Sequence, residues 1–214
     1  MRAALLFLAI PLAISGNLEP TTTEYSALES VASPIAYRIA PDSRFDVVTG
    51  KAGLFGAFGH KHRIRATEFD GTIVYDLDNA FGSSIEIVLQ TASLVVVPEG
   101  ADEKDAPKVE RAMRESVLPP DQYPTIEFGS RIVTAIDDGV QVVGDLTIAK
   151  RSRPAAVDVT IAQRGDTLTA TGTFSVNQTD FGIKPYSAAG GTIKVADEVT
   201  FDFEAVAIRV VENE

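Results

Sequence analysis

Apolar and polar residues alternate in short runs along most of the chain from residue 37 onward. In the last run, 199–210, the apolar side chains of Val199, Phe201 and Phe203 alternate with Asp202 and Glu204. A period of two residues is typical of a β-strand that buries one face and exposes the other. The chain is therefore predicted to be all-β apart from one segment.

Turn residues divide these runs into about eight strands. Asp138-Gly139 and Gly165-Asp166 separate neighbouring runs as tight hairpins do, which predicts antiparallel pairing. Pro41-Asp42 only interrupts the first strand. The runs are 37–39, 44–49, 60–77, 83–97, 125–134, 140–149, 155–163, 168–176 and 199–210.

A helical period replaces the alternation at 107–118. Pro107 suits the first turn of a helix, and the prolines after Leu118 would end it. Glu110 and Arg114 form an i,i+4 pair in the stabilising orientation. The stripe expected to pack on the sheet comprises Val109, Ala112, Met113, Ser116 and Val117. The pattern thus predicts an eight-stranded antiparallel barrel with one inserted amphipathic helix. The helix lies between strands four and five when the two parts of the interrupted first strand are numbered separately. A two-sheet sandwich remains the alternative, because alternation alone does not separate the two folds.

The N-terminus has the pattern of a secretory signal peptide. Met1-Arg2 precedes an apolar run, 3–14, and a small residue, Ser15, follows it. We therefore expect a signal peptide at 1–15, a flexible polar leader at 16–34 and a β domain at 35–211. An uncleaved anchor is the alternative, although the run is short for a membrane span.

Composition excludes several classes of protein. The net charge is −11 and the pI is about 4.7, which argues against a nucleic-acid binder, since such a protein needs a basic face. The chain has no cysteine, which excludes disulfides, thiolate metal sites, a cysteine nucleophile and a lipid-modified N-terminal cysteine.

The stretch 54–76 contains both histidines of the chain, His60 and His62. If it forms one long strand, residues two apart share a face. The alternation then places a cationic face in water, made of Lys61, Arg63 and Arg65. The inward face comprises His60, His62, Ile64 and Ala66. We expect both imidazoles at the inner mouth of a β structure.

Three segments follow one another along the chain: YPTIEF at 123–128, GDLTI at 144–148 and TDFGI at 179–183. Together they resemble the YceI-like family of secreted bacterial proteins, also called the polyisoprenoid-binding, lipocalin-like family. The resemblance implies an eight-stranded antiparallel lipocalin-like barrel, located in the periplasm or secreted. It also implies a bound polyisoprenoid, such as a quinone, and no covalent cofactor. The chain departs from the family at Gln178, where an arginine is usual, and at KRSRP, 150–154, where many members have a glycine-rich turn.

We expect a binding protein for a long apolar lipid rather than an enzyme. His60 and His62 would meet the head group of the lipid at the entrance. The apolar residues expected to point inward are Ile73, Tyr75, Ile85, Ile87, Leu89, Phe128, Leu146, Ile148, Phe174, Phe181, Phe201 and Phe203. Besides the lipid, no nucleic acid and no stable membrane insertion are expected after signal cleavage, and a homodimer is left open.

Two other functions remain as alternatives. The histidine pair would make a metal site or a histidine-dependent enzyme if a third ligand joined it, and Glu68 continues the same face of a regular strand. No serine elbow, phosphate loop or His-Glu-x-x-His motif accompanies the pair. A filled barrel would instead suit an envelope interaction module without a ligand.

Overall fold

The computed structural model describes residues 33–52, 61–98, 106–188, 190 and 193–211. The predicted signal peptide, and the leader as far as residue 32, lie outside these residues. The described part contains a sheet of twelve strands. They are β1 Ile35–Ile39, β2 Arg44–Ala52, β3 Arg63–Ala66, β4 Phe69–Tyr75, β5 Ser84–Gln90, β6 Leu94–Val97, β7 Thr125–Ile136, β8 Gly139–Ile148, β9 Arg151–Arg164, β10 Thr167–Asn177, β11 Ser187–Ala188 and β12 Ile193–Arg209.

Eight of these strands close into a ring. Around the ring the order is β1, β4, β5, β7, β8, β9, β10 and β12, and every pair of neighbours is antiparallel. β12 returns to β1, where Arg209 lies opposite Tyr37 and Ala207 opposite Ile39. The predicted antiparallel barrel is therefore confirmed over the sandwich.

A shorter wall extends the barrel on one side. We call the end at which β12 finishes the upper end, and the opposite end the lower end. β12 pairs with β1 near the upper end and with β2 from Glu204 down to Lys194. β3 pairs with β2, and β6 pairs with β3. The three predicted strands nearest the N-terminus are therefore each split at one level of the barrel, at 40–43, at 67–68 and at a 3-10 turn, Thr91–Ser93.

The predicted helix forms between β6 and β7. It consists of α1 (Ala106–Ala112) and a π-helical turn (Met113–Val117). A π turn has more residues than an α turn, so it changes which side chains face the sheet. Ser116, predicted on the packed face, is exposed as a result, whereas Met113 and Leu118 are buried.

The helix covers the edge of β6. The Glu110 carboxylate accepts a hydrogen bond from the backbone N–H of Val96 at 2.9 Å. The Arg114 guanidinium donates one to the backbone oxygen of Leu94 at 3.0 Å. The predicted Glu110–Arg114 pair is thus replaced by two bonds that satisfy the free backbone groups of an edge strand.

The inward faces of the strands form one apolar core. β8 shows why, since Val140, Val142, Leu146 and Ile148 are buried at every second position along it. Burial of such a side chain contributes roughly 1.5–3 kcal/mol. Within the described residues, no helix is both long enough and apolar enough to cross a membrane.

Candidate functional site

Two adjoining cavities lie inside the barrel. The upper cavity has a volume of about 110 Å³ and the lower cavity a volume of about 90 Å³. Apolar side chains make up almost the whole wall of the upper cavity. All twelve apolar residues predicted to point inward line one or both cavities. The upper cavity is lined by Ile73, Tyr75, Ile85, Ile87, Leu89, Phe128, Leu146, Phe174, Phe201 and Phe203, and the lower by Ile148, Phe181 and Phe201.

The upper wall also contains residues that the sequence analysis did not single out. Val133, Val140, Val157 and Leu168 are buried and line the upper cavity from β7, β8, β9 and β10. The alternation that predicted these strands also marks their inward positions, so the signal was present. Almost all of the surface that this wall presents to the cavity is apolar, so the wall suits an apolar ligand.

Two glycines give space to aromatic rings of the wall. A Cβ atom at Gly172 would lie 2.8 Å from Cζ of Phe203, and one at Gly144 would lie 2.7 Å from Cζ of Phe128. Both rings therefore lie against the backbone of a neighbouring strand, where no side chain intervenes. This placement keeps the rings close to the wall.

A short segment after β10 closes part of the lower end. It contains the TDFGI motif, and its 3-10 turn, Gln178–Phe181, brings the buried Phe181 into the lower cavity together with Ile183. Gly182 lies between them with φ 72°, and a Cβ there would lie 2.4 Å from Cζ of Arg151. Glycine is needed here both for the left-handed backbone and for the arginine packed over it.

Other contacts hold this segment to β12. The Gln178 amide donates to the backbone oxygen of Ala196 at 2.8 Å, and Gln178 also lines the lower cavity. The hydroxyl of Thr179 donates to the Asp197 carboxylate at 2.6 Å. Met113 and Val117 of the helix, and Leu118 just after it, also line the lower cavity.

His62 lies at the lower end, next to β2. Its backbone N–H donates to Oγ1 of Thr49 at 3.2 Å, and its backbone oxygen accepts from the N–H of Thr49 at 2.9 Å. Thr49 and Ile64, which share its face of the wall, line the lower cavity. Nδ1 of His62 is buried, and no hydrogen-bond partner for it is found in the described part of the chain. His60 lies outside the described residues.

The proposed third metal ligand does not continue the histidine face. β3 ends at Ala66, and Glu68 is exposed in the irregular link between β3 and β4. Across the ranges that the structure describes, no three His, Asp or Glu side chains converge as metal ligands would. The metal-site alternative depended on one regular strand from His62 to Glu68, and the strand is interrupted after Ala66.

The cationic face of β3 is not simply solvated, which corrects the prediction for Arg63 and Arg65. Lys61 is exposed as expected. Both arginines bind the Asp46 carboxylate, at 3.1 Å and 2.7 Å, and its side chain has 0% exposed surface. Arg63 also bonds Asp202 at 3.0 Å. These charged side chains point away from the barrel interior, because Asp46 and Asp202 alternate along their strands with the inward-pointing Phe45 and Phe201, and both arginines are partly exposed.

Arg44 completes the charge cluster, which we define as Arg44, Asp46, Arg63, Arg65 and Asp202. It lies 3.0 Å from Asp46 and 3.3 Å from Asp202. Burial disfavours the charged form of Asp46, but hydrogen bonds from Arg65, Arg44 and Arg63 outweigh it and lower its pKa below the ordinary value of 3.8. Burial likewise opposes ionisation of Asp202, and hydrogen bonds from Arg44 and Arg63 hold its pKa below 3.8. The cluster ties β2, β3 and β12 together.

Comparisons with known proteins agree with this architecture. The family model described as the YceI-like domain matches residues 37–207. BcnA of Burkholderia cenocepacia has a similar crystal structure, with a TM-score of 0.61 at 21% identity over 77% of this chain and 95% of BcnA. The YCEI protein of Campylobacter jejuni has a TM-score of 0.54 at 18% identity, over 70% of this chain and 85% of that protein. No curated protein matches the sequence. Since the family match spans most of the described barrel, the chain belongs to the YceI-like domain family.

Proposed function

We propose that this protein holds the apolar chain of a lipid in its barrel, as a carrier or store and not as an enzyme. The observation that supports this is the pair of adjoining apolar cavities inside a closed barrel. Removal of apolar surface from water contributes about 25 cal/mol per Å², so an unreactive apolar tube is sufficient for binding. A polyisoprenoid such as a quinone is the ligand class, and no covalent cofactor is involved.

The size of the cavities indicates how such a chain must be accommodated. The upper cavity, at about 110 Å³, is smaller than an engineered cavity of roughly 150 Å³ that admits benzene. A long chain therefore needs both cavities and requires side chains to move. The aromatic rings at Phe128 and Phe203 line this space and would rearrange on loading.

The polar groups of the lower end suit the head group. The upper cavity is apolar, whereas Thr49 and Gln178 line the lower one, and the unpartnered Nδ1 of His62 lies on the same face of the wall. A hydroxyl or carbonyl of the ligand would bond to such groups more readily than to the upper wall. In this arrangement His62, with His60 beside it in sequence, contacts the head group while the tail points toward the upper end.

The protein would act in the periplasm or after secretion. The signal peptide predicted at 1–15 supports this location, and the acidic composition suits a protein that is free of the membrane after cleavage. Its partner is then an apolar lipid, with no nucleic acid, and a homodimer remains open.

Native mass spectrometry of the mature protein, purified from the envelope of its own cells, tests the proposal. Organic extraction and metal analysis of the same sample would follow. We expect one prenyl lipid per protein molecule and no stoichiometric metal ion. A bound divalent ion without lipid would favour the histidine alternative, and a barrel empty of both would favour a ligand-free interaction module.

A matched pair of variants on β10 tests whether the lipid is bound in the lumen of the barrel. Phe174 lines the upper cavity, whereas its neighbour Ser175 is exposed. Phe174→Glu should abolish lipid retention, because a carboxylate would be placed in the apolar lumen. Ser175→Glu should retain the lipid. Equal retention by both variants would contradict binding in the barrel.

A further inference from the structure

Four side chains lie at one level of the barrel and line both cavities. They are Val47, Leu94, Ile126 and Phe201. The inward positions along β12 show that this level is a boundary, since Phe203 lines only the upper cavity and Val199 only the lower. β2 has the same order, with Phe45 above Val47 and Thr49 below it.

Phe201 is the one aromatic residue of these four. Its ring stacks on Phe174, with centroids 4.9 Å apart and an interplanar angle of 5°. The side chain is also well packed, because Phe201 is only 9% exposed. A ring held in this way moves only if the stack is broken or both rings move together.

We propose that Phe201 is the residue that sets the response of the protein to lipid chain length. This inference rests on the proposed function. A chain that fits in one cavity leaves the ring in place, whereas a longer chain must displace it to enter the other cavity. Added isoprene units should therefore increase affinity until the chain reaches Phe201, stop doing so there, and increase it again once the second cavity is entered. The expected plateau is the same whichever cavity the lipid chain fills first, because Phe201 lies between the two cavities.

A series of prenols provides the test: 3-methyl-2-buten-1-ol, with one isoprene unit, and all-trans geraniol, farnesol, geranylgeraniol and solanesol share one head group and differ in length. Each is delivered from cyclodextrin to the full-length mature protein, and the bound fraction is measured by native mass spectrometry. For the wild-type protein, one pair of successive prenols in the series should have equal affinities, although the second prenol is longer. Phe201→Ala and Phe201→Leu should remove the plateau. They should also bind the longest prenol at least ~10-fold more tightly, because the chain no longer has to displace the ring before an isoprene unit of five apolar carbons is buried.

Phe203→Leu is the matched control, since Phe203 is an inward aromatic of the same strand that lines only the upper cavity. It should keep the plateau. Thermal unfolding without ligand identifies a variant that does not fold, and Phe201→Leu then replaces Phe201→Ala. A uniform gain per unit in the wild-type protein, or an unchanged plateau in the Phe201 variants, would overturn the inference and leave the proposed function intact. Failure of every prenol to bind the wild-type protein would refute both.

Discussion

The Nε atom of Arg65 lies 2.7 Å from Oδ1 of Asp46, a carboxylate with no exposed side-chain surface. Oδ2 of the same carboxylate accepts from Arg44 at 3.0 Å and from Arg63 at 3.1 Å. Three guanidinium groups thus compensate one buried charge on the outside of the barrel. They do so next to the level at which the first strands are split, so the cluster stabilises a wall that the split would otherwise weaken.

Replacement of Asp46 by asparagine should destabilise the protein by about 1.5–3 kcal/mol, because the hydrogen bonds to a charged acceptor are weakened and three partly exposed guanidinium groups are left with only Asp202 to compensate them. The free energy of unfolding in urea measures this effect. The matched control is Asp145→Asn, which breaks the Arg131–Asp145 pair at 2.6 Å, where the side chains are 64% and 34% exposed. A solvated pair of this kind contributes only about 0.2–1 kcal/mol. Similar losses in the two variants would contradict the role assigned to the cluster.

The cluster also predicts how stability depends on pH. The pKa values of Asp46 and Asp202 are lower in the folded protein than their ordinary value of 3.8. Their stabilisation is therefore fully present above 3.8 and is lost as the pH falls through the lower folded-state values. Urea unfolding at a series of acidic pH values should show a steep decrease in this window. In Asp46→Asn the free energy of unfolding should decrease less steeply with falling pH. An equally steep decrease in this variant would show that other carboxylates cause the acid sensitivity.

The β8–β9 turn is predicted to tolerate glycine better than its own residues. Ala149 and Lys150 both have positive φ, 49° and 60°, as a two-residue type I′ hairpin requires. The exposed Lys150 carries a left-handed backbone that costs a non-glycine residue about 1 kcal/mol. Lys150→Gly should therefore raise the free energy of unfolding by up to ~1 kcal/mol. Gly165 in the β9–β10 turn has φ 59° and open space around it, so Gly165→Ala should lower it by a similar amount. Changes in the opposite directions would show that these backbone angles do not limit stability.

Gly172→Ala should reduce the capacity of the lumen. The new methyl group would lie 2.8 Å from Cζ of Phe203 and 3.0 Å from the backbone oxygen of Asp158. Because the backbone side is closed, the ring must move into the upper cavity, at a cost of about 1 kcal/mol in stability. Retained lipid, measured by native mass spectrometry, should fall. Gly129→Ala is the control, since its Cβ would meet nothing within 4 Å, and it should leave lipid retention unchanged.

The alternation of side chains predicted much of the fold and of the lumen. Phe201 and Phe203 face inward as expected, because one buried face is enough to fix the register of a strand. The antiparallel order followed from hairpin signals such as Asp138-Gly139: Asp138 lies in the two-residue β7–β8 turn, and Gly139 begins β8 opposite Ile136. These are local properties of the chain, which is why a single sequence contains them.

Other features depended on contacts that are distant in sequence. Asp46 is 19 residues from Arg65, and Asp202 is 139 from Arg63, so no local pattern marked their cluster. Ser116 was misplaced because a π turn interrupts the helical period. The face shared by His62 and Glu68 was lost because the strand is interrupted between them.

The closure of the barrel by β12 has a consequence for folding. Residues 207–209 pair with 37–39, so the ring closes only when the two ends of the domain meet. β2 also pairs with β12, and it lacks this partner until β12 is present. Until the last strand has been synthesised, β1 and β2 lack this neighbour and their pairing groups remain available to other chains. Contacts of such long sequence separation make folding slow, on the order of milliseconds to seconds. A truncation before residue 193 should therefore yield a chain that aggregates, rather than a smaller stable domain.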